Sequence, residues 1–211
     1  MSVRAVLFDF GGVILTSPFE AFARYEADNG LPAGFLRRLN ATNPDANAWA
    51  RLERSEVDLA GFVELFEAEA RMAGHAVDGR AVLALLGGEL RPAMVEALRR
   101  CHDRLKTALV TNNFLPGEAA PGDGRADPMA EVLGHFDVIV ESSRVGVRKP
   151  DPAIYRLVCG ELGVEPGEAV FLDDLGINLK PARALGMTTI KVVDPDEAIA
   201  ELEGVVGFPL R

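Results

Sequence analysis

The feature that most constrains the fold of this 211-residue chain is the alternation of short apolar runs with helical patterns. Between these runs lie patterns typical of helices. Because strands that are apolar throughout must be covered on both faces, the alternation predicts a parallel sheet between helical layers. The predicted strands are Val3–Phe8, Lys106–Thr111, Phe136–Val140, Ala169–Leu172 and Thr188–Val193. The predicted helices of this part are Pro92–His102, Met129–Leu133, Pro152–Gly160 and Asn178–Leu185.

Residues 17–90 break this alternation, because their patterns are helical throughout. We therefore predict an α/β core formed by residues 1–16 and 91–211, with a doubly wound, Rossmann-like parallel sheet. Residues 17–90 are predicted to form a helical cap domain, inserted after the first strand so that it overhangs that strand's carboxyl end. Residues 112–129 are rich in glycine and proline, which predicts a loop after the second strand.

Composition and charge exclude several classes of function. The net charge of -10 argues against nucleic acid or an anionic membrane surface as the main partner. The sequence shows no signal peptide and no apolar run long enough to cross a bilayer. Cys101 and Cys159 lack metal-ligand spacing and are interpreted as reduced thiols. We therefore expect a cytoplasmic protein that acts on a small molecule.

Polar residues follow the predicted strands at the points where the strands end. The carboxyl ends of parallel strands meet at one edge of the sheet, where ligands of such folds bind. This edge would gather three carboxylates, a hydroxyl, amides and one ammonium. The residues are Asp9, Thr111, Asn112, Asn113, Lys149, Asp173 and Asp174.

The adjacent pair Asp173–Asp174 needs an explanation, because like charges that close repel each other. Either one carboxylate caps the next helix, or a metal ion lies beside the pair. Asn178 is a competing N-cap for that helix, which favours the metal for Asp174.

This set of groups suits phosphoryl transfer. A carboxylate cannot approach a phosphate dianion unaided, but Mg²⁺ screens the repulsion and polarises the phosphoryl oxygens. A lysine can neutralise charge in the transition state, and a hydroxyl and backbone N–H groups can hold the remaining oxygens. One carboxylate is then able to attack phosphorus and form an aspartyl-phosphate.

Four ordered segments of the chain resemble the sequence motifs of the haloacid dehalogenase (HAD) superfamily: "FDFGG", "VTNN", "RKPDPAIY" and "FLDDLGINLKPARALGM". More narrowly, the chain resembles the phosphatase-like N-terminal domain of soluble epoxide hydrolase and that of acyl-CoA dehydrogenase family members. The second likeness lies in "DNGLP", "FDVIVES" and "IKVVDP". The resemblance implies a hydrolase, and most directly a phosphatase of a small organic phosphomonoester.

The resemblance also implies roles for individual residues. Asp9 is similar to the nucleophile and Lys149 to the charge-neutralising lysine of the family. Thr111 and Asn112 resemble the phosphate-binding pair, and Gly12 is assigned to substrate binding with them.

The same resemblance implies a Mg²⁺ site. Its ligands would be the carboxylates of Asp9 and Asp174 and the backbone carbonyl of Gly11, with Asp173 as a further ligand or an orienting group. Hard oxygen ligands without histidine or cysteine favour Mg²⁺ over Zn²⁺.

Gly11 departs from the family pattern, because typical phosphatases of the family carry there an aspartate that acts as general acid and base. Loss of such a group typically costs ~10²–10⁴ in rate. The leading hypothesis is therefore a Mg²⁺-dependent phosphatase that is slow or uses another acid. A 2-haloacid dehalogenase-type hydrolase is an alternative, since dehalogenases of the superfamily also lack this aspartate. A binding or partner module without efficient catalysis is the third.

Overall fold

The computed structural model describes residues 2–112 and 128–211, and the chain divides into two compact units. The first comprises residues 1–16 and 90–211, and the second comprises residues 17–89. Leu90, at the end of the predicted insertion, belongs to the first unit because its backbone pairs with Leu15. Asn113 and most of the predicted loop after the second strand lie outside the described residues.

The first unit contains a parallel five-stranded sheet, as predicted from the sequence. The strands are β1 (Ala5–Phe8), β2 (Lys106–Thr111), β3 (Val138–Glu141), β4 (Ala169–Asp173) and β5 (Thr188–Lys191). Their order across the sheet is β3-β2-β1-β4-β5, and every neighbouring pair is parallel. In chain order, β2 and β3 thus lie on one side of β1, and β4 and β5 lie on its other side. Ligands of open parallel sheets bind at the carboxyl ends of the strands where this order reverses.

The described residues also form eleven α-helices. Those of the second unit are α1 (Phe19–Asp28), α2 (Phe35–Ala41), α3 (Ala48–Glu53), α4 (Leu59–Met72) and α5 (Gly79–Ala84). Those of the first unit are α6 (Pro92–His102), α7 (Pro128–Leu133), α8 (Ser142–Val145), α9 (Pro152–Leu162), α10 (Gly176–Ala184) and α11 (Pro195–Val206). None of the helices in the described ranges combines the length and the apolar character that a membrane span requires.

Both faces of the sheet are buried, as the continuously apolar strands require. Side chains alternate along each strand, so Val6 and Phe8 of β1 face one layer while Leu7 faces the other. The first layer contains buried side chains of α6, α7 and α11, and the second contains those of α9 and α10. The two layers fix the sheet and thereby the positions of the polar residues at its carboxyl edge.

The second unit has an aromatic centre formed by Trp49, Phe62 and Phe66. The rings of Trp49 and Phe62 have centroids 4.6 Å apart, and those of Phe62 and Phe66 stack with centroids 5.2 Å apart. All three side chains are buried, so the single tryptophan of the chain packs in the interior of its unit. Asp58 helps to define the neighbouring helix, because its side chain accepts a hydrogen bond from the Gly61 N–H at the start of α4.

The helix α11 was not among the predicted elements, although its signal is present in the sequence. Asp194 is its N-cap and accepts hydrogen bonds from the N–H groups of Asp196 and Glu197. Pro195 occupies the first helical position, where the missing N–H costs nothing. An aspartate followed by proline and an acidic first turn is therefore the pattern that would have predicted this helix.

Candidate active site

The carboxyl edge of the sheet brings Asp9, Lys149 and Asp173 into direct contact. Asp9 follows β1, and its N–H donates to the Leu172 carbonyl at 2.9 Å, which continues the ladder between β1 and β4. Asp173 is the last residue of β4, and Lys149 lies between α8 and α9. The Lys149 Nζ is 2.8 Å from Asp9 Oδ1 and 2.7 Å from Asp173 Oδ2. The ammonium thus bridges carboxylates of two neighbouring strands, and all three side chains are buried.

Asp174 completes a group of three carboxylates. One oxygen from each of Asp9, Asp173 and Asp174 can be chosen so that all three lie within 4.8 Å of one another. Gly12 allows this arrangement, because a Cβ at Gly12 would lie 2.4 Å from the Asp174 Oδ2. Gly12 also has a φ of +80°, which side chains other than glycine rarely adopt. Glycine at position 12 is therefore required by both its conformation and its contact with Asp174.

At this edge, the carboxyl groups of Asp9, Asp173 and Asp174 outnumber the ammonium of Lys149. Burial raises the pKa of Asp9 to about 8, although the attraction of Lys149 opposes the rise; the charge of Asp173 adds to it. Burial lowers the pKa of Lys149, but the attraction of Asp173 and Asp9 outweighs this effect and the pKa is raised. Lys149 therefore keeps its charge, whereas Asp9 is largely protonated near neutral pH as long as no cation is bound. A divalent cation of the Mg²⁺ type fits this cluster of three carboxyl groups, because its charge would favour the ionised form of Asp9.

Asp173 accepts hydrogen bonds from several groups. Besides Lys149, it accepts a hydrogen bond from the Leu175 N–H at 2.8 Å. The Asn178 Nδ2 lies 3.0 Å from each of its two oxygens. The structure shows that the interpretation of Asn178 as an N-cap is wrong, because α10 begins at Gly176 and Asn178 is its third residue. Its amide points to Asp173 instead.

Thr111 and Asn112 lie at the end of β2, but their surroundings differ. Thr111 is buried in the sheet and pairs in register with Glu141 of β3. The side chain of Asn112 contacts the backbone of Lys149, donating from Nδ2 to the Lys149 carbonyl at 2.8 Å. Its Oδ1 accepts a hydrogen bond from the Lys149 N–H at 2.7 Å. Both ends of the Asn112 amide are thus hydrogen-bonded to the Lys149 backbone.

The two cysteines lie in helices of the first unit and not among these polar side chains. Cys101 belongs to α6 and Cys159 to α9, and both are buried free thiols. Burial raises the pKa of Cys101 to about 12 and that of Cys159 to about 11. Both thiols are therefore protonated near neutral pH, when they are weak nucleophiles.

The parallel sheet between helical layers and the cluster of carboxyl groups at its carboxyl edge define a doubly wound α/β core with a candidate catalytic site. A family model of haloacid dehalogenase-like hydrolases matches residues 3–186, and the chain belongs to this family. The fold is shared with a HAD-family enzyme of Bacteroides thetaiotaomicron in complex with magnesium and inorganic phosphate. That likeness has a TM-score of 0.60 and 20% identity, and covers 90% of this chain and 94% of the other. The fold is also shared with the L-2-haloacid dehalogenase of Xanthobacter autotrophicus. That likeness has a TM-score of 0.58 and 20% identity, and covers 96% of this chain and 82% of the dehalogenase.

Curated relatives are more similar in sequence. The chain is 38% identical to acyl-CoA dehydrogenase family member 10 of Mus musculus, over 100% of the chain and 20% of the relative. It is also 38% identical to bifunctional epoxide hydrolase 2 of Sus scrofa, over 100% of the chain and 40% of the relative. The chain thus spans less than half of the length of either protein. A Mycobacterium tuberculosis protein named as a phosphatase is 29% identical over 98% of the chain and 93% of the relative.

Proposed function

We propose that this HAD-family hydrolase is a Mg²⁺-dependent phosphatase of small organic phosphomonoesters, with Asp9 as the nucleophile. The observation that carries the proposal is the position of the Lys149 ammonium, which lies within 3 Å of both Asp9 and Asp173 with the Asp174 carboxylate nearby. A similar relative is named as a phosphatase. A solved structure with the same fold contains magnesium and inorganic phosphate.

The oxygen ligands proposed for the cation are the carboxylates of Asp9 and Asp174 and the carbonyl of Gly11. A bound cation would screen the repulsion between carboxylates and phosphate and would polarise the phosphoryl oxygens. Asp173 contributes to the local charge, but its hydrogen bonds to Lys149, Asn178 and a backbone N–H give it an orienting role.

In the proposed reaction, an oxygen of Asp9 attacks phosphorus and the bond between phosphorus and the ester oxygen breaks. Lys149 offsets the charge on the transferring group. The Thr111 hydroxyl and the Gly12 N–H are proposed to donate to the phosphoryl oxygens. The leaving oxygen takes a proton from solvent or from a substrate group. Water then attacks phosphorus of the aspartyl-phosphate, which releases inorganic phosphate and regenerates Asp9.

The test is turnover of p-nitrophenyl phosphate by the chain with Mg²⁺, with EDTA and without added metal. We expect release of p-nitrophenol that requires Mg²⁺ and is inhibited by inorganic phosphate. Chloride release from a 2-chlorocarboxylic acid, unaffected by EDTA, would show a dehalogenase instead. Binding of Mg²⁺ and phosphate with turnover no faster than the uncatalysed reaction would show a binding module.

A second prediction concerns Gly11, where typical phosphatases of the family carry the aspartate that acts as acid and base. Among the residues that the structure describes, none besides the chain neighbours would lie within 4 Å of a Cβ at Gly11, so the position has room for a Cβ. We expect Gly11→Asp to raise kcat for p-nitrophenyl phosphate by roughly 10-fold to 10³-fold, toward the range that general acid–base catalysis supplies.

The matched control is Gly11→Asn, which has almost the same size but cannot donate or accept the proton. We expect its kcat to stay at or below that of the unmodified chain. If Gly11→Asp and Gly11→Asn change kcat equally, a proton-transfer group at position 11 is not what limits turnover. The measurement is steady-state kinetics at saturating Mg²⁺, with circular dichroism spectra to check the fold.

A further inference from the structure

Lys149 differs from the other lysines of the chain by its burial. The chain contains four lysines, all within the described residues: Lys106, Lys149, Lys180 and Lys191. Lys149 is 1% exposed, whereas the other three are exposed. A long, flexible side chain with a buried charge has a defined position only if the surrounding groups hold it. The contacts of Lys149 show which groups do so.

Asn112 holds Lys149 through its main chain. Its amide nitrogen donates to the Lys149 carbonyl at 2.8 Å, and its amide oxygen accepts from the Lys149 N–H at 2.7 Å. Two hydrogen bonds from one planar group fix both the distance and the orientation of the Lys149 backbone. Because Asn112 directly follows β2, they tie the backbone of Lys149 to the edge of the sheet.

Asn178 holds the other end of Lys149 through Asp173. Its Nδ2 lies between the two oxygens of Asp173, 3.0 Å from each, and Asp173 Oδ2 is 2.7 Å from the Lys149 Nζ. The Asn178 carbonyl accepts a hydrogen bond from the buried Tyr155 hydroxyl at 2.7 Å, which ties α10 to α9. The orientation of the Asp173 carboxylate, and with it one of the two anchors of the ammonium, therefore depends on Asn178.

We propose that Asn112 and Asn178 are positioning residues for Lys149, acting on its backbone and on its ammonium respectively. The inference deepens the proposed phosphatase function and rests on it for the role of Lys149 in turnover. It gives the Asn112 side chain a role besides the phosphate binding that the resemblance implies for Asn112, because its Nδ2 and Oδ1 each bond to the Lys149 backbone. A direct ligand and a positioning residue lose different properties when they are removed, so the two roles can be separated.

The first test observes the ammonium itself and does not depend on activity. A buried, hydrogen-bonded ammonium exchanges its protons slowly, so ¹⁵N-labelled chain should show one resolved lysine ammonium signal at neutral pH, absent in Lys149→Arg. We expect this signal to broaden or disappear in Asn112→Ala and Asn178→Ala. It should persist in Thr107→Val, which removes a buried hydroxyl hydrogen bond at the opposite end of β2. An unchanged signal in both asparagine variants, or no signal in the unmodified chain, would overturn the proposal.

The second test is a double-mutant cycle on p-nitrophenyl phosphate turnover. Positioning partners typically cost about 10- to 100-fold when they are removed, so we expect that loss of kcat for Asn112→Ala and for Asn178→Ala. When Lys149→Ala is already present, we expect that adding Asn112→Ala or Asn178→Ala causes no further loss of kcat. A loss from Asn112→Ala that persists in that background, with weaker inhibition by inorganic phosphate, would show direct phosphate binding instead. If the unmodified chain has no turnover, the proposed function fails, while the ammonium signal still decides the positioning roles.

Discussion

Replacing Asp9 with asparagine is expected to abolish turnover of p-nitrophenyl phosphate while leaving the fold intact. The amide has the shape of the carboxylate, and its oxygen can still accept hydrogen bonds from the Phe10 N–H and from Lys149, which now contact Asp9 Oδ1 at 2.7 and 2.8 Å. An amide oxygen is a far weaker nucleophile than a carboxylate, and the amide also removes one charge from the proposed cation site. Removal of a nucleophile costs on the order of 10⁴-fold or more in kcat.

The measurement is kcat of freshly purified Asp9→Asn, with intact-mass spectrometry to exclude deamidation back to aspartate. Thermal unfolding of the variant serves as the control for the fold. Rapid quenching of the unmodified chain during turnover should also trap a species heavier by one phosphoryl group, on Asp9. Turnover that survives in Asp9→Asn, with no deamidation, would show that another group or water attacks phosphorus directly.

The sheet could be predicted from the sequence because its physical signal is local. Short apolar runs such as Ala169–Leu172 must be buried on both faces, and the helical patterns between them supply the covering layers. The observed strand ends differ from the predicted ones by one or two residues in the third strand, which is predicted over Phe136–Val140 and observed over Val138–Glu141. Strand boundaries depend on which neighbour offers hydrogen bonds, and a single sequence does not contain that information.

The residues of the candidate site could be found for a related reason. A parallel sheet gathers the carboxyl ends of its strands at one edge, so polar residues that follow apolar runs must come together. This reasoning placed Asp9, Asp173 and Lys149 at one edge, and the structure brings them into contact.

The contacts among the polar side chains could not be predicted, because they join distant parts of the chain. Asn112 and Lys149 are 37 residues apart, and their two hydrogen bonds depend on how the segments beyond β2 and β3 meet. Asn178 was interpreted as an N-cap from its residue type, but α10 begins two residues earlier and its amide turns inward to Asp173. A buried carboxylate that needs donors outweighs the local preference of asparagine for a helix terminus.

The final prediction is that Asp174→Ala removes Mg²⁺ binding and activity together. The Asp174 carboxylate lies in the group with Asp9 and Asp173, and it is Asp173 that accepts a hydrogen bond from the Lys149 ammonium at 2.7 Å. Removal of groups that merely support metal ligands typically costs 10- to 100-fold in affinity, so loss of a direct ligand should weaken Mg²⁺ binding by more than about 100-fold. Isothermal titration calorimetry with Mg²⁺, without substrate, measures this change.

Two further variants serve as comparisons for Asp174→Ala. Gly12→Ala tests the position of the Asp174 carboxylate, and Asp173→Asn tests the charge of the adjacent carboxylate. Gly12→Ala removes no carboxylate from the chain, but its Cβ would lie 2.4 Å from Asp174 Oδ2, so the Asp174 carboxylate must move and Mg²⁺ affinity should fall. Asp173→Asn keeps an acceptor for Lys149 and should weaken Mg²⁺ binding less than Asp174→Ala, while it lowers the thermal stability. Because Asp174 adds negative charge beside Asp9 and Asp173, loss of Asp174 without a cation site would relieve repulsion and stabilise the fold. An unchanged Mg²⁺ affinity together with a higher melting temperature in Asp174→Ala would therefore refute the cation site.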